Sequence, residues 1–218
     1  MKSVERVELF ILTHIDADHI SGAIPLFEDP EVTRRLDEVW FNGFSQLRGF
    51  LSVPQGDAFS ALLDRDDRPF RWNGIEPGTA DHDRRVPPIA TDGVRHPQIE
   101  LPGGLRLTVL SPDHDGLRRL AQHWLAALDE LDPRRSMLAR RPRPVPPADP
   151  TALDLAALAA SGATKDTSVP NLSSIAVLAE YGGRAVLLTG DAHADTLTTA
   201  IRSLQADRDR DGQRLRLD

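Results

Sequence analysis

The sequence predicts one mixed α/β domain of the α+β type. Three observations lead there. The chain has 218 residues, enough for one domain with a real core and too few for two of ordinary size. Apolar residues make up 40% and charged residues 27%, a folded composition and not a disordered one. Short apolar runs of strand length also alternate with stretches whose apolar residues recur at helical spacing. Because only 5% of the residues are aromatic, the core is expected to rest on Leu, Val, Ile and Ala.

Residues 7–12 (Val-Glu-Leu-Phe-Ile-Leu) read as a strand buried on both faces, followed by a polar loop. A short helix is expected at about 21–28, closed by Pro30, and a second helical stretch at 31–37. Residues 38–42 read as a strand ending at Gly43, and 56–66 as a helix. From 67 to 97, Pro, Gly, Asp and Arg dominate, and the reading is an irregular insertion. Residues 98–101 and 105–110 form a hairpin across Pro102-Gly103-Gly104. An amphipathic helix at about 115–131 presents Leu117, Leu120, Ala121, Trp124, Leu128 and Leu131 on one side, with Asp113 or Asp115 as its cap.

Residues 132–150 carry six prolines among five arginines and read as an extended linker, before a short Ala/Leu helix at 151–160. A second strand pair follows at 172–180 and 184–188, turning at Tyr181-Gly182-Gly183. After the loop Thr189-Gly190-Asp191, a helix is expected over 193–204, with a frayed tail from 206.

Composition excludes several chemistries. With no cysteine there is no disulfide scaffold, thiolate zinc site or cysteine nucleophile. A metal would have to be held by His, Asp or Glu. The formal charge of −7 disfavours a general nucleic-acid coat and leaves room for a local phosphodiester site. The apolar run at 7–12, interrupted by Glu8, is too short for a signal peptide or a membrane span, so a cytoplasmic protein without membrane attachment is expected.

The chemistry concentrates in Thr13-His14-Ile15-Asp16-Ala17-Asp18-His19, directly after the first strand. Two imidazoles and two carboxylates within six residues supply the neutral donors and compensating oxygens that divalent ions need. An irregular loop is expected here, because a regular element could not aim all four at one point. Val186-Leu187-Leu188-Thr189-Gly190-Asp191 repeats the plan of Leu9-Phe10-Ile11-Leu12-Thr13-His14: an apolar strand, then Thr, then a ligand on the exit. If the two strands are neighbours, the exits converge. Other candidates weigh less. Asp81-His82-Asp83 and Asp113-His114-Asp115 read as solvated turns, His193 as an exposed side chain, and Ser173 and Ser174 as hydrogen-bonding residues near the pocket.

Thr13-His14-x-Asp16-x-Asp18-His19, followed by Ile20-Ser21-Gly22, resembles the metal-binding signature of the metallo-β-lactamase superfamily, with Asp16 where the usual form has His. This variant, and the block from Asn171-Leu-Ser173-Ser174 to Leu188-Thr189-Gly190-Asp191, is similar to the branch that includes the nuclease domain of bacterial DNA-uptake competence proteins. The resemblance implies an αββα sandwich and a hydrolase that uses a metal-bound hydroxide on two divalent ions, Zn or Mn. His14 and Asp16 match ligands of the first ion, Asp18 and His19 those of the second, and Asp191 the carboxylate that bridges both. Asp18 would also orient the water, and Asn171 and Ser174 would contact substrate. Two ions and three Asp residues leave a formal charge of +1 for hydroxide or a phosphate oxygen. A phosphodiester, nucleic acid included, is thus expected ahead of a β-lactam. Members usually open with a hairpin before the motif and carry a His-His-Gly-Ser-like segment after the Asp loop. Neither stands in this sequence, so the expected sandwich is incomplete. A non-catalytic module of this fold, or a fragment completed by a partner chain, is the alternative.

Overall fold

The computed structural model describes residues 5–43, 54–65, 67–77, 88–130, 168–210 and 212. The expected linker at 132–150, the helix at 151–160 and the Asp81-His82-Asp83 turn lie outside the described residues.

The first half builds a parallel sheet. Its strands are β1 (Phe10–Ile11), β2 (Glu38–Trp40) and β3 (Arg71–Trp72), in the order β1-β2-β3. Phe10 pairs with Val39, Ile11 with Trp40 and Val39 with Trp72. Parallel neighbours require crossovers, and helices supply them. Helices α1 (Ala17–Glu28) and α2 (Pro30–Thr33) join β1 to β2, and α3 (Pro54–Leu63) lies between β2 and β3. The second half builds an antiparallel sheet in the order β4 (Gln98–Leu101), β5 (Leu105–Ser111), β6 (Ala176–Tyr181), β7 (Arg184–Leu188). Helix α4 (His114–Glu130) follows β5, a 3₁₀ turn (Pro170–Ser173) leads into β6, and α5 (Ala194–Arg210) closes the described chain.

Side-chain alternation along the strands distributes the core. Val39 and Phe41 face one way and pack with Ile20, Ala23 and Phe27 of α1, Phe59 and Leu63 of α3, and Leu117 and Leu120 of α4. Trp40 faces the other way and meets Leu107, Val109, Ile175 and Val177 of the antiparallel sheet. The opposite face of that sheet, Leu110, Ala176 and Leu178, is covered by Leu197, Ala200 and Leu204 of α5. The two sheets therefore face each other, with helices on their outer sides.

Several expectations are corrected. Only Phe10 and Ile11 of 7–12 form ladder pairs, and that strand is half-buried rather than buried on both faces. Helix α1 begins at Ala17 and not near 21, because Asp16 already adopts an extended N-cap conformation and its carbonyl accepts from the amides of His19 and Ile20. The segment 67–97 is not wholly irregular. It contributes β3, where fully buried Trp72 donates its indole N–H to the Phe41 carbonyl at 3.0 Å. The block at 172–180 opens as a 3₁₀ turn, with the strand running from 176 to 181. Residues 206–210 continue α5 instead of fraying, and Arg208 pairs with both carboxylate oxygens of Glu180 at 2.6 and 2.7 Å. The hairpin at 98–110 forms as expected, and Asp113 caps α4 by accepting the Gly116 amide at 2.6 Å.

Candidate metal centre

Strands β1 and β7 are not neighbours; they lie in different sheets. Their exits still converge, because a backbone hydrogen bond ties the end of β1 to the segment entering β6. The Leu12 amide donates to the Trp40 carbonyl at 3.0 Å, and the Thr13 carbonyl accepts the Ile175 amide at 2.9 Å. The second bond carries the exit of β1 to the entry of β6, beside which β7 ends.

Gly190 makes the approach close enough. Its φ is +48°, and a Cβ there would lie 2.5 Å from Ser174 Oγ and 3.1 Å from Thr13 Cβ and Cγ2. A side chain could not be accommodated without moving one of them. The Asp191 amide then donates to Ser174 Oγ at 3.1 Å, which fixes the carboxylate that follows.

The result is a cluster. His14, His19 and Asp191 each offer one donor atom, and these atoms all lie within 4.8 Å of one another. Asp191 Oδ2 stands 3.7 Å from His14 Nε2 and 3.4 Å from His19 Nε2. Asp16 Oδ2 stands 3.6 Å from His14 Nε2, its carboxylate not spent on capping α1. Asp18 Oδ2 lies 3.9 Å from His19 Nε2 on the exposed first turn of α1. Thus His14 and Asp16 project from the loop, whereas Asp18 and His19 project from a helix. The expectation of a wholly irregular ligand loop is corrected accordingly.

These separations are too long for good hydrogen bonds. The two shortest, 3.4 and 3.6 Å, match donors sharing a cation, since bonds of about 2.0–2.2 Å at tetrahedral angles put ligand atoms about 3.3–3.6 Å apart, and the 3.7 and 3.9 Å separations lie just beyond. His14 Nε2 supplies the clearest signal. The residue is 2% exposed, and this nitrogen is buried with no hydrogen-bond partner. A buried polar atom of that kind is costly unless something binds it. Burial pushes the His14 imidazolium below its ordinary pKa, His19 acts in the same direction, and the carboxylates of Asp16, Asp191 and Asp18 oppose them. The ring is therefore held toward its neutral, ligating form. The residues present fit a divalent cation.

Asn171 sits half-buried in the 3₁₀ turn, and its carbonyl accepts the Ser174 amide at 3.2 Å. Ser174 is fully buried, and its hydroxyl is used to hold Asp191. That placement makes it a support for the loop and not the substrate contact expected from sequence. Ser173 is likewise internal, donating to the Pro170 carbonyl at 2.6 Å. Sequence reasoning missed the work of Thr13, whose Oγ1 lies 3.0 Å from His14 Nδ1 and 3.3 Å from His19 Nδ1. The available signal was the Thr that precedes the ligand at each strand exit.

Comparison with protein-family models, with curated proteins and with solved structures finds no match to this chain. No helix among the described residues is long and apolar enough to cross a membrane.

Proposed function

We propose that the cluster at the strand exits is a divalent-metal centre, and that the chain is a metal-dependent hydrolase of metallo-β-lactamase-like αββα architecture. The observation that carries this reading is the convergence of His14, His19 and Asp191 from opposite ends of the sequence, around a buried His14 Nε2 that has no hydrogen-bond partner. The helix-sheet-sheet-helix packing of the three core clusters supports the architecture.

In this reading two cations would be held by the five side chains. His14 pairs with Asp16 and His19 with Asp18, at 3.6 and 3.9 Å, and Asp191 Oδ2 is common to both imidazoles. Zinc or manganese is the expected occupant, since imidazole suits zinc and carboxylates favour the harder ion. Bound there, the cations supply Lewis acidity toward a water and toward the bond to be cut. The protein's part is to hold the His14 imidazole toward its neutral form, fix Asp191 through Ser174 and leave Asp18 at the solvent edge, where it would orient the attacking water. Three Asp residues against two divalent ions leave a positive remainder that suits a phosphodiester, nucleic acid included, with half-buried Asn171 as a substrate contact on the adjoining turn.

The test couples elemental analysis to hydrolysis of bis-(p-nitrophenyl) phosphate. The chain is expected to retain about two divalent ions and to hydrolyse the diester, and His14→Ala and Asp191→Ala to lose both properties. A folded chain that takes up metal without cleaving the diester contradicts the substrate assignment. One that takes up none contradicts the centre.

A further inference from the structure

We infer that Thr13 is a positioning residue whose hydroxyl accepts the Nδ1–H of both His14 and His19, and so aims both Nε2 lone pairs at the cations. The inference rests on the metal-centre reading above and adds to it the group that sets the state of the rings.

The geometry is specific. One oxygen lies 3.0 Å from His14 Nδ1 and 3.3 Å from His19 Nδ1, and the two ring centroids are 4.2 Å apart. A hydroxyl has one proton to give and two lone pairs with which to accept. A neutral imidazole that ligates through Nε2 carries its proton on Nδ1, and that N–H needs an acceptor. Two such rings present two N–H groups, and the two lone pairs of Thr13 Oγ1 match them. Were the hydroxyl to donate to one ring, that ring's proton would sit on Nε2, facing the carboxylates and blocking ligation. It could donate to only one of the two rings in any case.

Thr13 is itself held from both sides. Its carbonyl accepts the Ile175 amide at 2.9 Å, and its methyl side lies against Gly190, where an added Cβ would come within 3.1 Å. The two halves of the side chain thus have separate tasks: the methyl packs under the Asp191 loop, and the hydroxyl orients the imidazoles.

Valine keeps the shape and loses the hydroxyl; serine keeps the hydroxyl and loses the methyl. Zinc affinity of the full chain, measured by chelator competition, is expected to fall roughly 10- to 100-fold in Thr13→Val and to stay within about threefold in Thr13→Ser. Thermal unfolding of the metal-free variants separates this from loss of fold. Long-range ¹H–¹⁵N spectra of the zinc-loaded wild-type chain, which need no variant, are expected to show both rings protonated at Nδ1. Unchanged zinc affinity in Thr13→Val, an equal loss in Thr13→Ser, or either ring protonated at Nε2 overturns the inference while the metal centre stands. A wild-type chain that binds no zinc overturns the centre and this inference with it.

Discussion

The ligand cluster depends on single atoms at a few positions. Ser174 Oγ is the acceptor for the Asp191 amide, and Gly190 leaves the space in which that bond forms. Ser174→Ala removes the acceptor and is expected to cost about 1–3 kcal/mol, read as a shift in the denaturant midpoint with an unchanged slope. Gly190→Ala adds a Cβ at positive φ against Ser174 and Thr13, and is expected to cost about 1–3 kcal/mol and to weaken metal binding as Asp191 is displaced. Calorimetric titration with Mn²⁺ reads the second effect. At this scale much was legible beforehand. Four polar side chains packed into six residues, and a repeated strand-Thr-ligand plan, pointed to His14, Asp16, Asp18, His19 and Asp191 as candidates, and the structure brings His14, His19 and Asp191 together. What Thr13, Ser174 and Gly190 do was not legible, because the Ser174–Asp191 bond closes across 17 positions, Gly190 lies against Thr13 from the other end of the chain, and a hydroxyl or a glycine carries no mark of such a partner.

Elements come next. β3 was hidden in a stretch rich in Arg, Asp and Pro, where two strand residues cannot establish a period. Its evidence is the aromatic pair Phe70 and Trp72, both buried in the core. Trp72→Ala is expected to destabilise the chain by about 3–5 kcal/mol, by the cavity it leaves and the indole bond it loses, as measured by urea unfolding. The sequence predicts that helix α5 ends near 204, because its last turns are Asp and Arg. The extension to Arg210 is anchored by the Arg208–Glu180 pair, a contact between sheet and helix that helical periodicity does not contain. Hydrogen bonding to the Arg208 guanidinium holds the Glu180 carboxyl below its ordinary pKa. With the folded value below the unfolded one, the pair stabilises fully above the unfolded carboxyl range and loses that contribution as pH falls through the folded value. Glu180→Gln is therefore expected to be less stable than wild type by about 1–2 kcal/mol at pH 7, a gap that closes in acid. Paired denaturant curves across pH 7 to 3 check the sign.

For the whole molecule, the topology explains how distant segments meet. A parallel sheet contributed by the first half faces an antiparallel sheet from the second, and the bond from the Ile175 amide to the Thr13 carbonyl joins them at the end where β1 and β7 both stop. The α+β class followed from alternating strand and helix patterns. That the two ligand-bearing strands would sit in separate sheets did not follow, since the pattern does not say which strands pair. At the proposed metal centre, Asp16 would set the metal preference. Manganese is expected to compete with zinc better than at an all-histidine site, and activity with Zn²⁺ but none with Mn²⁺ in reconstituted protein would refute that. Either ion is expected to raise the unfolding temperature in proportion to the logarithm of its concentration above Kd.

The metal centre is tested most directly by where a cation goes. Anomalous diffraction at the zinc edge, from crystals of the full chain grown with zinc, reads this without assuming an activity. Peaks are expected within about 2.0–2.2 Å of His14 Nε2 and His19 Nε2, with Asp191 Oδ2 shared between them. Crystals that contain zinc elsewhere, and none between these three side chains, would contradict it.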